Sequence, residues 1–179
     1  RVPERIVYGI IGTERSDVDQ ESSAGAIGVM QVTPDTAEFV QSKGLLIGLD
    51  ASENGLKNIE TNIAFGVANL SLLYDSFGQW GLAVSAHAGG PAKLRQKLRL
   101  MSSSDSDLAP EALLKGGLNI VTVKYVGITT DREAEIMRIE YPFVAEAMAE
   151  VMEKYLDIRM APSVGRVRPM LTPAPPDEA

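Results

Sequence analysis

No cysteine occurs in this chain, and histidine occurs once, at position 87. The first absence removes disulfides, thiolate nucleophiles and sulfur-bound metals together. The second leaves no basis for a zinc site built on imidazoles. Compartment stays open, since a cysteine-free protein tolerates reducing and oxidising surroundings alike. No apolar run reaches the roughly 18 to 20 residues that span a bilayer. Basic charge is also scarce: 17 Lys and Arg stand against 24 Asp and Glu, for a net charge of -7. Nucleic-acid binders neutralise phosphates with clustered Lys and Arg, so that class is excluded. The basic cluster from Lys93 to Arg99 (KLRQKLR) has helical spacing and reads as a solvated face. There is no G-x-x-x-x-G-K-[ST] phosphate loop and no Ser-His-Asp set with supporting context. Chemistry in this chain therefore falls to carboxylates, hydroxyls and amides, with no metal and no cofactor.

What is present is enough apolar material to bury a core: 45% of 179 residues are hydrophobic, which suits one domain, or one domain and a tail. The opening Arg1-Val2-Pro3, without an initiator methionine, predicts a processed or excised piece whose signal peptide or anchor would not be visible. Pro3 stands at a helix start, and Val7, Ile10, Ile11 and Glu14 follow at helical spacing, so Glu14 continues an apolar stripe and is expected to be half-buried. Thr33-Pro34-Asp35 starts a second helix that ends near Gly44. A polar loop is expected over residues 50 to 58. Ile59, Ile63, Gly66, Leu70, Leu73 and Phe77 then alternate steps of four and three, the pattern of an amphipathic helix with Gly66 at a close helix crossing. A short buried helix over 80 to 88 and a basic amphipathic one from Pro91 come next, followed by a polar loop at Ser102 to Asp107. Residues 118 to 128 (LNIVTVKYVGI) are β-branched and fit a short strand or hairpin, or an extended segment lying on the core. Thr130 to Glu133 fits a capping box opening a long helical pattern through Ile136, Met137, Tyr141, Val144, Met148, Val151 and Tyr155, kinked at Pro142. Residues 1 to 160 thus read as one mainly α domain and 161 to 179 as a Pro-rich tail or linker.

Cleaving a glycosidic bond requires a carboxylic acid placed to protonate the leaving oxygen. A glutamate at the end of an apolar helix suits the task, because desolvation disfavours the carboxylate form. Glu14 is so placed, while Asp17, Asp19 and Glu21 are nearby candidates for a second carboxylate. The stretch Ser22-Ser23-Ala24-Gly25-Ala26-Ile27-Gly28-Val29-Met30-Gln31 then reads as a cleft wall. Small residues let a bulky polysaccharide approach the backbone, and Gln31 supplies a fixed amide. Taken alone, the loop is equally a tight turn, Glu14 a surface acid and His87 a core residue.

In combination these residues resemble the lytic transglycosylase family (SLT, goose-type lysozyme-like). Its signature is a helix ending in a catalytic Glu, a loop of the type A-x-S-x-x-G-A-x-G-L-M-Q, and then x-P-x-T-A. Here Glu14 is followed by Ser22 through Gln31 and Val32-Thr33-Pro34-Asp35-Thr36-Ala37. The N-I-x-x-G-x-x-x-L helix is matched by Asn62-Ile63, Gly66 and Leu70, and the A-Y-N-A-G-P segment loosely by Ala86-His87-Ala88-Gly89-Gly90-Pro91. The resemblance covers about residues 5 to 98, and Arg138 to Ala147, with Tyr141, sits where the family often has a Tyr-bearing closing helix.

The resemblance implies a lysozyme-like α-helical domain with at most a short β-hairpin or strand around 118 to 128. The implied activity is cleavage of the MurNAc-GlcNAc β-1,4 bond of peptidoglycan, leaving 1,6-anhydro-MurNAc ends. Glu14 is the implied catalytic residue. Ser22, Ser23, Gly25, Ala26, Gly28, Met30, Gln31, Asn62, His87 and Tyr141 are the implied substrate-binding residues. The partners are then peptidoglycan glycan strands, with the tail joining a larger envelope or virion assembly, and the location periplasmic or cell-envelope associated, or a phage virion. Two other readings remain open: a hydrolytic muramidase, and a non-catalytic glycan-binding or virion structural module of the same fold. The chain departs from the family in a gap before Gly25 one residue shorter than usual, in Arg15 for the usual Ser, and in His87-Ala88 for Tyr-Asn. The family tyrosine lies beside the acid. An imidazole there is expected to replace it as a hydrogen-bond partner of Glu14 or, if protonated, to make Glu14 a poorer proton donor.

Overall fold

The computed structural model describes residues 2–14, 19–104 and 131–154. Helices dominate: α1 (Glu4–Glu14), α2 (Pro34–Ser42), α3 (Glu53–Leu56), α4 (Ile59–Phe77), α5 (Trp80–Gly89), α6 (Pro91–Ser104), α7 (Asp131–Glu140) and α8 (Pro142–Lys154). Among the described residues there is no sheet, only the isolated bridges Glu21–Ile27 and Ile27–Val32. The mainly α, lysozyme-like architecture expected from the sequence is the one observed. The strand expected at 118 to 128, the Thr130 cap and the 161 to 179 tail lie outside the described residues.

Local chemistry explains most helix ends. Thr33 caps α2 by accepting from the Thr36 N–H at 3.2 Å, with Pro34 supplying no amide where none is needed. Asn58 caps α4 through the Thr61 N–H at 2.8 Å, and Gly78 at φ 73 closes its far end in the left-handed conformation. The long C-terminal pattern is broken into two helices at Tyr141, because the residue before a proline is pushed out of the α region. Two expectations are corrected. Residues 50 to 58 are not all loop: Ser52 caps the single turn α3, which is too short to show a period. Ser102 to Ser104 belong to α6, since serine's modest propensity does not stop a helix that is already propagating.

The core is organised around α4, which packs against α2, α3, α5 and α8. Its sequence pattern predicts one apolar stripe, yet every residue from Asn62 through Leu73 is buried. Positions off the stripe are themselves apolar (Phe65, Val67, Leu72), small (Ala64, Ala68, Ser71) or asparagines with internal partners, so neighbours close over all faces. The α8 residues Val144, Ala147, Met148 and Val151 join the same core as Ile6, Val7, Ile10 and Ile11 of α1. Ile136 of α7 does not continue that stripe inward and is exposed. Arg138 instead ties α7 to α1, pairing with Glu4 and lying 5.5 Å above the Tyr8 ring. The Lys93 to Arg99 face is solvated as expected, with Leu94 turned inward.

Gly66 marks a close approach, but the neighbour is a loop side chain and not a helix. A Cβ there would stand 2.8 Å from Met30 Cε and 2.9 Å from its Cβ. Alanine's better helix propensity is worth about 1 kcal/mol, against an overpacking cost of about 1–3 kcal/mol. Gly66→Ala should therefore lower stability by up to about 2 kcal/mol, measured as a lower urea midpoint at unchanged slope. An unchanged or higher midpoint would show that Met30 moves aside.

Candidate active site

Glu14 is the last residue of α1 and is half-buried, as its place on the apolar stripe predicts. Its neighbour Thr13 turns inward and donates its hydroxyl to the Gly9 carbonyl at 2.7 Å. Arg15 and Asp17 lie outside the described residues, and Asp19 and Glu21 are exposed.

The small-residue stretch is two successive turns sharing Ile27. In the first, Ser22 N–H donates to the Ala26 carbonyl at 2.8 Å and Gly25 N–H to the Ser22 carbonyl at 2.9 Å. The Ser22 hydroxyl accepts from the amides of Ala24 and Ala26 at 3.3 and 3.0 Å, so it builds the turn. Ser23 and Ala24 are exposed at its tip, and Ala26 is half-buried. Gly25 has φ 74 with open space where a side chain would stand, so glycine serves the backbone angle there. In the second turn, Ile27 and Val32 exchange backbone bonds of 3.0 Å around residues 28 to 31. Gln31 holds φ 50, a left-handed conformation uncommon outside glycine. Its side-chain amide donates to the Gly28 carbonyl at 3.0 Å and the Gln20 carbonyl at 3.4 Å, fixing the side chain across the turn.

One face of α4 holds this turn in place. Asn62, Gly66 and Asn69 recur at i, i+4 and i+7, and all three act on Met30 directly or through one intermediary. Asn62 accepts from the Met30 N–H at 2.9 Å and donates to the carbonyls of Ile27 and Leu56 at 2.8 and 2.9 Å. Gly66 makes room for the Met30 side chain. The Met30 carbonyl accepts from His87 Nε2 at 3.0 Å, and His87 Nδ1 meets the Asn69 amide nitrogen at 3.1 Å. A carbonyl only accepts, so the imidazole carries its proton on Nε2, and Nδ1 accepts from Asn69.

This geometry corrects several expectations. Asn62, expected to bind substrate, is 1% exposed with its amide spent on backbone groups, so it clamps the loop. The Met30 side chain is fully buried and cannot line a sugar site. Gly28, at φ 72, is small for Asn62 and not for a polysaccharide, since a Cβ there would stand 2.5 Å from Asn62 Nδ2. His87 hydrogen-bonds neither to Glu14 nor outward, because both ring nitrogens are engaged inside. Burial pushes the imidazole below its ordinary 6.5, outweighing the Met30 bond and the Glu14 charge, which push it up. The ring is accordingly neutral at pH 7, not the imidazolium considered from the sequence. Tyr141 sits at the α7–α8 junction with its ring edge-on to Phe143 at 6.2 Å, and no described contact joins it to Glu14 or the loop. Asn69 was missed from sequence. Its signal was a second asparagine seven residues after Asn62 in an apolar helix, where a buried amide must find a partner.

A family model described as the transglycosylase SLT domain matches residues 1–109. The chain belongs to the transglycosylase SLT family. No curated protein and no solved structure matches it. Membership gives this SLT domain a lytic-transglycosylase-type, glycan-cleaving function directed at peptidoglycan. Among its described residues, no three of His, Cys, Asp and Glu gather into a set able to hold a metal ion.

Two outcomes test the site's construction. Asn62→Leu leaves the Met30 amide and the Ile27 and Leu56 carbonyls of the SLT domain without partners, at about 1–3 kcal/mol each. The expected loss is at least about 3 kcal/mol in chemical denaturation, with faster hydrogen exchange at the Met30 amide. Because the Glu14 charge favours the imidazolium, Glu14→Gln should lower the His87 titration midpoint, read by NMR on the chain's one histidine. A midpoint that stays put would separate Glu14 from the loop.

Proposed function

We propose that this SLT domain is a peptidoglycan lytic transglycosylase that cleaves the MurNAc-GlcNAc β-1,4 bond with Glu14 as its single catalytic residue, forming 1,6-anhydro-MurNAc ends. What supports the reading is the neighbourhood of Glu14. Its half-buried carboxyl group ends α1 in a chain that matches the SLT domain over residues 1–109, and His87 and Asn62 hold the GAIGVMQ turn that follows it in the chain.

In the reaction Glu14 gives its proton to the glycosidic oxygen as the C1–O bond breaks and GlcNAc leaves as an alcohol. The resulting carboxylate then takes the proton of the MurNAc C6 hydroxyl as O6 bonds to C1, closing the anhydro ring and restoring the acid. No water is consumed. A single carboxyl group suffices, which suits a site whose described neighbours Asp19 and Glu21 are exposed. Gln31 lines the turn with its amide nitrogen already committed, so its Oε1 is the end that faces a sugar N–H or hydroxyl. Gly25 and the Ser22-Ser23 tip provide backbone that a glycan chain can approach closely. Such a substrate places the domain's action at the cell envelope, reached by export or within a phage particle.

Purified sacculi incubated with the full chain should yield muropeptides with anhydro ends by mass spectrometry. Glu14→Gln should reduce release by about 10²- to 10⁴-fold with an unchanged circular dichroism spectrum. Reducing ends would identify a hydrolytic muramidase. Binding of muropeptides without turnover would identify a non-catalytic glycan-binding module.

A further inference from the structure

His87 joins two parts of the fold through a single ring. Its two nitrogens lie on opposite edges of one ring, one donating to the Met30 carbonyl and the other accepting from Asn69. The imidazole is therefore a strut between the central helix α4 and the turn that carries Gln31. We propose that His87 is a positioning residue that holds this turn against Glu14 only as the neutral Nε2–H tautomer, and that protonation at Nδ1 releases it. The inference rests on the reading of Glu14 and this turn as the active site.

The argument is one of hydrogen-bond polarity. A proton added at Nδ1 turns that atom into a donor facing the Asn69 NH2 group across 3.1 Å, donor against donor. Where the Asn69 amide keeps its orientation, the ring must swing away, and the Met30 carbonyl loses its donor. Asn69 is 8% exposed, so solvent has little access to relieve the mismatch. The groups facing the ring are few. Glu14 on α1 is the charged group that acts on it, while α4 contributes the uncharged Asn69 and the turn its Met30 carbonyl. From α6, which packs on α5, Lys93, Arg95, Lys97 and Arg99 are turned to solvent.

Because the folded imidazole titrates below 6.5, the unfolded chain takes up the proton first as pH falls. The stability tied to the strut is thus whole above 6.5 and is lost progressively from there down to the folded midpoint. Loss of the turn's support follows the folded midpoint itself.

The chain's one histidine makes the test direct. In the full chain, 15N spectra at pH 7 should show the Nε2–H tautomer, and the Met30 and Gln31 amide resonances should titrate with the same midpoint as the ring. Asn69→Asp supplies a carboxylate that accepts from a protonated Nδ1, and should raise that midpoint by about one pH unit or more. The acid limb of muropeptide release should then disappear, because the introduced carboxylate keeps the protonated ring tied to α4 while Nε2–H still serves the Met30 carbonyl. His87→Gln, which also offers one donor and one acceptor, should retain at least tenfold more activity at pH 7 than His87→Phe and should lose the limb. An Nδ1–H tautomer, or loop amides indifferent to the ring's titration, would overturn the strut even in a chain that turns over no substrate. Absence of turnover with coupled titrations would instead remove the enzymatic reading and leave the strut standing.

Discussion

The structure depends on how Met30 is held. Its amide is bound by Asn62, its side chain lies in the space left by Gly66, and its carbonyl is bound by His87, which Asn69 braces. Three positions on one face of α4 thus specify a loop residue that no regular secondary structure would fix. Polar groups in such a place are costly unless every one is matched. Among the described residues no buried side-chain nitrogen or oxygen is left without a partner. The turn is therefore selected by a pattern of donors and acceptors as well as by packing, and a mispaired alternative is penalised at several atoms at once.

The support reaches beyond the segment that defines the family. The SLT match ends at residue 109, but the core does not. Four side chains of α8 pack with those of α1 and α4, and Arg138 fastens α7 to α1 through Glu4 and the Tyr8 ring. The helix that ends in Glu14 is thereby backed by the C-terminal helices, and the loop that carries Gln31 by α4. Both are built on one shared core.

Much of this was legible in the chain. Period located α1, α4 and α5, and Thr33 and Pro34 added boundary chemistry that located α2. The Glu14 stripe predicted its half-burial, and the Gly-Ala run a tight turn, where the structure has two that share Ile27. Less legible was the purpose of individual small and polar residues. Gly25 and Gly28 look alike in sequence, yet one answers to a backbone angle in open space and the other to the Asn62 amide pressed against it. Asn62 and Met30 read as site residues because the motif contains them, although both are sealed inside. A one-dimensional pattern reports that a residue type is required, and the third dimension decides whether substrate or scaffold requires it. The all-round burial of α4 was only partly hidden: Ala64, Ala68 and Ser71 carry no strong signal of which way they face, but Phe65, Val67 and Leu72 lie off the stripe and are apolar.

The two-edged ring has a final implication for how this site can vary. A phenol has one oxygen, which both donates and accepts, so it would have to meet the carbonyl and the amide from a single point, whereas the imidazole meets them from two edges. Positions 69 and 87 are therefore one hydrogen-bonded unit: a change at either leaves the polar atom of the other facing an unmatched neighbour.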